Sequence, residues 1–549
     1  MAVSARARRL IKRRSSARPW GLWLPSALIA LGMAVPLVYL LYQASSVAPD
    51  VWARLLQTRV PGLIVNTLLL TGLVTIGALG LGLLLAWLVE RTDLPARKIL
   101  RSLFIAPLIV PCYLVAICYA AFFGANGLLE KMLQSFGWEM SVPSIYGLGG
   151  AAFVLILATY PYVYVIVRAS LERFDSTLLD AARACGASRV RAALRITLPL
   201  LVPALSAGGV LAALYSLSDF GVVTTLRQQT FVSVIYQQLT GRYDPSAAAA
   251  LGALLVLLTL LLLWGQGRIW GRRRFASEKP SGRPAPLVRL GRWKIPALAL
   301  IVVVLIAGLL LPLGVLSFWL VNSWLIPQTN ALLWGTSGNA LLNYLLNSFT
   351  VSVAAASLAV LLALPLAYAS VRYRDRWSQT WAWVSQAGQS LPGVLIALGL
   401  LFVVLRFLPG LYATVLLVIL AYVVRFFPQA LQALGSGLAQ VPACLEEGAR
   451  LLGHRPLSAF ARVTLPLLRP ALMGSWILVF LSALRELPAT LLLRPAGFDT
   501  LPVRIWTAAS EGFYAQAAPA ALGLIGLSIP LLFWLHRGSS AQGSVKSYD

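Results

Sequence analysis

Residues 446–472 read "EEGARLLGHRPLSAFARVTLPLLRPAL", and residues 179–205 read "LDAARACGASRVRAALRITLPLLVPAL". Aligned without a gap, Leu178–Leu205 and Leu445–Leu472 share 14 of 28 positions. Each copy starts with an acidic residue, carries a glycine, and reaches Leu-Pro with the proline 13 positions after that glycine. The surrounding chain is oily, so a polar paragraph written twice requires an explanation.

The 549 residues are 59% hydrophobic and 11% charged, against about 25% charged for a soluble domain. This is the composition of a membrane protein. Runs of about 20 apolar residues suit a bilayer span. Twelve occur, near 20–42, 63–88, 101–123, 146–167, 200–224, 246–265, 295–320, 346–370, 381–405, 411–433, 470–492 and 516–536. The first is too long for a signal-peptide core and reads as an uncleaved span.

The net charge of +27 lies at the ends of these runs, with seven basic residues in the first 18 and nine in 266–294. That placement is the positive-inside pattern, not the basic surface of a nucleic-acid binder, and no nucleic-acid partner is expected. Segments 1–18, 90–101, 168–199, 266–294, 371–379 and 438–466 all fall on one side of the twelve-span frame. That side is therefore expected to be cytoplasmic, with both termini on it. The four cysteines show neither metal nor redox spacing.

The repeat extends over the halves. Asn66, Ala86 and Arg91 match Asn347, Ala367 and Arg372 at an offset of 281. From Pro161, matching Pro428, the offset is 267, so the second half is 14 residues shorter between these points. Six spans per half is an even number, so the fold class is all-α and polytopic, with two parallel six-helix repeats.

Glycine tolerates the positive φ of a sharp reversal between short helices, and proline suits the first turn of the next helix. The duplicated segment therefore reads as a short helix held out from the membrane, with a carboxylate at its start. Such a shape fits docking into another protein.

This pattern resembles the EAA loop of binding-protein-dependent ABC importer permeases: an acidic residue, two small residues, Gly, then Leu-Pro. The first copy supplies Asp180, Ala181, Ala182, Gly186, Leu198 and Pro199. The second supplies Glu447, Gly448, Ala449, Gly453, Leu465 and Pro466. Asp180 stands where that family usually has Glu, and Gly448 replaces the first alanine. Neither change removes the carboxylate or the glycine, so both copies are expected to work.

The stretches "SLSDFGVVTTLRQQTFVSVIYQQLTGRYDP" (216–245) and "ALRELPATLLLRPAGFDTLPVRIW" (483–506) are similar to fused two-domain permeases of ferric-iron importers. A related fused permease carries thiamine, and that alternative stays open. The resemblance implies a type I importer transmembrane domain in a bacterial inner membrane. It implies a periplasmic iron-binding protein and two copies of a cytoplasmic ATPase that uses ATP and Mg, with no cofactor on this chain. The resulting division is a basic arm at 1–19, a first permease repeat at 20–265 with its loop at 178–199, and a cytoplasmic linker at 266–294. A second repeat follows at 295–537 with its loop at 445–466, then a tail at 538–549.

No GxxxxGK[ST] phosphate loop occurs, and no nucleophile-and-base pair points to an enzyme. A major-facilitator transporter also has twelve spans in two parallel halves. Its Gly-and-Arg-rich loop is not matched by "ERTDLPARKILRS" (90–102), and that scheme leaves the duplicated segment unexplained.

Of the charges within predicted spans, three stand out. Asp219 and Glu486 are equivalent at the offset of 267, and Arg425 has Ala158 as its counterpart. Counting from Pro203 at about 1.5 Å per residue puts Asp219 roughly 24 Å along its helix. The two carboxylates are candidate pathway residues making transient contact with Fe(III), a hard cation that prefers oxygen. The competing readings are a helix cap at "SDFG" and pairing of Glu486 with Arg485 or Arg494. Arg425 is a further pathway candidate, or a structural pair, because an intramembrane Arg usually faces a cavity or a partner.

Overall fold

A computed structural model describes residues 20–125, 127–138, 143–172, 181–182, 184–186, 188, 191, 193–270, 287–325, 340–373, 375–386, 388 and 391–542. The basic arm, Asp180, most of the linker and the end of the tail lie outside these residues. Among the described residues the secondary structure is helical apart from one isolated bridge, Thr92 to Val288. Among these residues eleven helices are long and apolar enough to cross a membrane. An apolar helix of 15 residues, Gly393–Phe407, stands at the ninth predicted span.

The third and ninth spans depart from the sequence expectation in the same way. Predicted 101–123 is a short helix Arg97–Leu103, a 3-10 turn, and then a helix Cys112–Phe123. Predicted 381–405 is a helix Arg376–Ser385, a break, and then Gly393–Phe407. Pro111 and Pro392, equivalent at offset 281, stand at the N-caps of the inner helices. A proline has no N–H to continue a helix from the preceding turn, so the apolar run is cut there. At about 1.5 Å per residue Gly393–Phe407 measures about 22 Å, short of a hydrocarbon core of about 30 Å, whereas Cys112–Phe123 is followed by Leu128–Ser135 and the two together make one of the eleven.

The fifth and eleventh spans also end early. Leu198–Ser218 stops before Asp219, and Leu465–Leu484 stops before Glu486. Each is followed by a short helix, Gly221–Thr225 or Pro488–Leu493.

Two compact units form, and their membership does not follow chain order. One gathers 1–42, 342–503 and 526–549. Within it the first span packs against the later sequence: Tyr39 meets Phe407 edge-on at 5.6 Å, and Trp23 lies 6.4 Å from Trp377. Gly399 permits that approach, since a Cβ there would sit 2.3 Å from the Pro36 carbonyl oxygen.

The other unit gathers 43–341 and 504–525. Its core joins the second and fourth spans through Leu85, Val89, Tyr160, Val163 and Tyr164, all fully buried. The seventh span packs here, with Tyr119 donating to the Ala307 carbonyl at 2.9 Å. The end of the linker is fastened to the turn after the second span. Val288 donates its amide to Arg91 at 2.7 Å, and Asp93 accepts from the Leu290 amide and from Lys294 Nζ, each at 2.9 Å.

Candidate functional site

In the second polar segment a helix Ala443–Leu451 follows Pro442 and ends in a Schellman turn. His454 N–H donates to the Ala449 carbonyl, Gly453 N–H to Arg450, and Gly453 holds φ +89°. That left-handed conformation is the reason for a glycine at this point. In the first segment Gly186 holds φ +82°, and Ala181 and Ala182 are helical.

Each segment then enters its following span through a five-residue π turn, Ala193–Thr197 or Phe460–Thr464. Pro199 and Pro466 come two positions later. Having no N–H, they cannot close the usual bond to residues 195 and 462, and the backbone widens just before them. Leu198 with Pro199, and Leu465 with Pro466, thus open the two spans directly after equivalent π turns.

The helix Ala443–Leu451 has two faces. Glu447 is exposed, Gly448 half-buried, and Ala449 buried. Leu451, Leu452 and Leu457 are 90%, 84% and 80% exposed, an apolar patch beside a carboxylate. The opposite face carries Glu446, only 4% exposed, which the sequence reading passed over in favour of Glu447. Glu446 Oε1 accepts from Tyr368 OH and from Arg450 Nη2 at 2.7 Å, and Oε2 accepts from Thr464 Oγ1 at 3.0 Å. Arg372 Nε lies 3.9 Å from Oε2. The available signal was spacing: Glu446 and Ala449 share one helical face, as do Tyr368 and Arg372.

Asp219 and Glu486 each cap the short helix that follows. Asp219 Oδ1 accepts from the Val222 and Val223 amides at 2.8 and 3.3 Å, and its Oδ2 lies 3.1 Å from Cys112 Sγ. Tyr215 OH reaches the same sulfur at 3.2 Å. Glu486 Oε1 accepts from the Ala489 amide at 3.2 Å, and Oε2 pairs with Arg425 Nε at 3.0 Å. The partner of Glu486 is therefore Arg425, neither Arg485 nor Arg494; Arg494 pairs with Asp499. The 24 Å count along one helix does not apply to Asp219, because that helix ends at Ser218. Both carboxylates are buried in their own units, at 7% and 4% exposure. Among the described residues no cluster of three or more His, Cys, Asp or Glu is placed to hold a metal ion.

The model of the family described as "binding-protein-dependent transport system inner membrane component" matches residues 78–274 and 355–537, once in each half. The chain belongs to this family: it is a multi-pass permease of an ABC importer. It is 29% identical over 513 residues to the Fe(3+)-transport system permease protein FbpB 2 of Haemophilus influenzae, covering 92% of this chain and 96% of that one. It is 24% identical to the ferric transport system permease protein FbpB of Actinobacillus pleuropneumoniae, covering 91% of this chain and 74% of that one. Shorter relatives match part of the chain, among them the molybdenum transport system permease protein ModB of Escherichia coli, 29% identical over 36% of this chain and 87% of its own.

Proposed function

We propose that this permease carries ferric iron, received from a periplasmic binding protein, and that two cytoplasmic ATPase subunits drive it by docking on the two polar segments. The observation that carries the iron reading is its likeness to the Haemophilus influenzae Fe(3+) permease over 96% of that protein, a match that spans both halves. The docking reading draws on the glycine-reversed helix with exposed Glu447, Leu451, Leu452 and Leu457. Contiguous exposed leucines beside a charge mark an interaction surface. The positive-inside bias of the basic loops supports a cytoplasmic position for that surface and for both termini.

Asp219 is the first-half pathway candidate. A hard cation would compete with the Cys112 thiol for its outer oxygen while the backbone amides keep the inner one. Glu486 is charge-compensated by Arg425 in the conformation described here.

The test is uptake of labelled Fe(III), thiamine and molybdate into cells with and without the chain, together with co-purification of an ATPase. Loss of Fe(III) uptake alone, with an ATPase retained on the purified chain, supports the reading. Loss of thiamine or molybdate uptake in its place overturns the substrate assignment.

A further inference from the structure

Glu446 lies on the inner face of the helix whose outer face carries Glu447 and Leu451. Its carboxylate touches three separate elements. Tyr368 and Arg372 come from the end of the eighth span, Ala340–Arg372. Arg450 lies one turn further along its own helix. Thr464 is the last residue of the π turn that opens the eleventh span. Arg372 also holds the Val441 carbonyl at 2.9 Å, and Phe460 packs edge-on against the Tyr368 ring at 5.2 Å. The buried acid thus reaches both spans at once, beside a direct bond from Arg450 Nη2 to Tyr368 OH at 3.4 Å.

The first half is built from different residues at this point. At the offsets of 267 and 281, Glu446 corresponds to Leu179 and Tyr368 to Trp87, while Arg372, Arg450 and Thr464 correspond to Arg91, Arg183 and Thr197. The cations and the threonine are common to both halves, and only the acid–phenol pair is replaced, by an apolar one. Apolar contact is non-directional and tolerates sliding, whereas a carboxylate bonded through both oxygens fixes direction as well as distance.

We propose that Glu446 is a positioning residue that ties movement of the Ala443–Leu451 helix to the eighth and eleventh spans, through an acid and a phenol that the first-half sequence replaces with Leu179 and Trp87. The inference rests on the reading that an ATPase docks on the outer face of that helix. Glu446 itself, buried and facing away, takes no part in docking. ATP-driven displacement of the second segment then reaches the spans through directed bonds, for which the first half has no acid or phenol at the equivalent positions.

The experiment uses the full chain with its co-purified ATPase in proteoliposomes, supplied with the iron-loaded binding protein. It compares wild type, Glu446→Gln, and the double variant Glu446→Leu with Tyr368→Trp, which writes the first-half pair into the second. ATPase retention and basal hydrolysis are expected to persist in both variants. Iron transported per ATP is expected to fall roughly tenfold, the scale of losing a charge-assisted hydrogen bond. Tyr368→Phe, which keeps the acid and removes one donor, should lose less. An unchanged transport-to-ATP ratio in both variants overturns the proposal. So does loss of the ATPase from Glu446→Gln when wild type retains it, because Glu446 would then belong to the docking surface. Failure of the wild-type chain to retain any ATPase would instead refute the docking reading beneath it.

Discussion

Arg425 Nε stands 3.0 Å from Glu486 Oε2, and the guanidinium lies over the bare Cα of Gly393. A Cβ at 393 would fall 1.8 Å from Arg425 Nη1 and 2.6 Å from Glu486 Oε1. The first half has Cys112, Ala158 and Asp219 at the three equivalent positions, and there the thiol meets the carboxylate directly. The halves have exchanged a thiol for a guanidinium and adjusted the neighbouring volumes to suit.

These three positions should consequently behave as a unit. Arg425→Ala leaves a buried carboxylate without its cation and should cost about 3–5 kcal/mol. Gly393→Ala should also destabilise, since the nearest atoms belong to a charged pair. Transplanting the first-half set, Gly393→Cys with Arg425→Ala and Glu486→Asp, should recover much of the loss. Thermal unfolding of the detergent-purified protein reads this. A triple variant no more stable than Arg425→Ala would show that the positions are independent.

Gly186 and Gly453 should be sensitive for a backbone reason. Both hold φ above +80°, and no neighbouring atom would obstruct a Cβ at either. Valine at either position should therefore cost about 1–3 kcal/mol through conformation, not crowding. The double variant Gly186→Val, Gly453→Val should reach the membrane at near wild-type level and lose ATPase co-purification and uptake. Wild-type uptake in that variant would refute a docking role for the reversals.

These glycines were legible in the sequence because their requirement is local: a reversal needs positive φ wherever it occurs. The same holds for Leu-Pro, although the π turn before it follows only from the missing N–H. The breaks in the third and ninth spans were harder to read. Pro111 sits inside a continuous apolar run, and hydropathy averages over it; Pro392 follows the polar stretch "SQAGQS" (385–390), which the predicted span overruns toward the N-terminus. For Glu446 the local signal was thin, a helical face shared with Ala449, because its burial depends on Tyr368, 78 residues earlier. Arg425 was flagged by its cost in a membrane, yet its partner lies 61 positions away, past two nearer arginine candidates for Glu486.

The orientation of the frame can be checked with single cysteines in a cysteine-free background. Ser135→Cys should react with an impermeant thiol reagent added outside intact cells, and Pro280→Cys should react only after the membrane is opened. External labelling of position 280 would sink the parallel-repeat topology.

The fastening of the linker should depend on pH. The Leu290 amide, followed by Lys294, holds the Asp93 carboxyl below its ordinary range. A depressed folded pKa means that the contact is fully present above the unfolded value of about 3.9 and is lost as pH falls through the folded one. Amide exchange at Val288 and Leu290, corrected for intrinsic rate, should therefore rise in wild type as pH is lowered below about 4. In Asp93→Asn it should already be raised at pH 7 and change little over that window. Flat protection in wild type down to pH 2 would remove Asp93 from this role.

Asp219 and Glu486 occupy equivalent positions but differ in charge compensation, and a cationic cargo should register the difference. Asp219 faces a neutral thiol, so Asp219→Asn removes a net negative charge. Glu486→Gln uncovers the Arg425 guanidinium, which adds a net positive one. At an effective dielectric of 20, a unit charge about 8 Å from the cargo contributes about 2 kcal/mol per unit of cargo charge, so either change should lower Fe(III) uptake roughly tenfold or more. Adding Arg425→Gln to Glu486→Gln restores local neutrality and should recover much of the uptake; added to Asp219→Asn it uncovers the Glu486 carboxylate, which should offset the lost negative charge if both positions act on one cargo. Binding-protein-stimulated ATP hydrolysis should persist in all four variants if the carboxylates act on the cargo. Its loss would assign them to the fold as caps of Gly221–Thr225 and Pro488–Leu493. Unchanged uptake in the double variant Asp219→Asn, Glu486→Gln would take both residues out of the pathway.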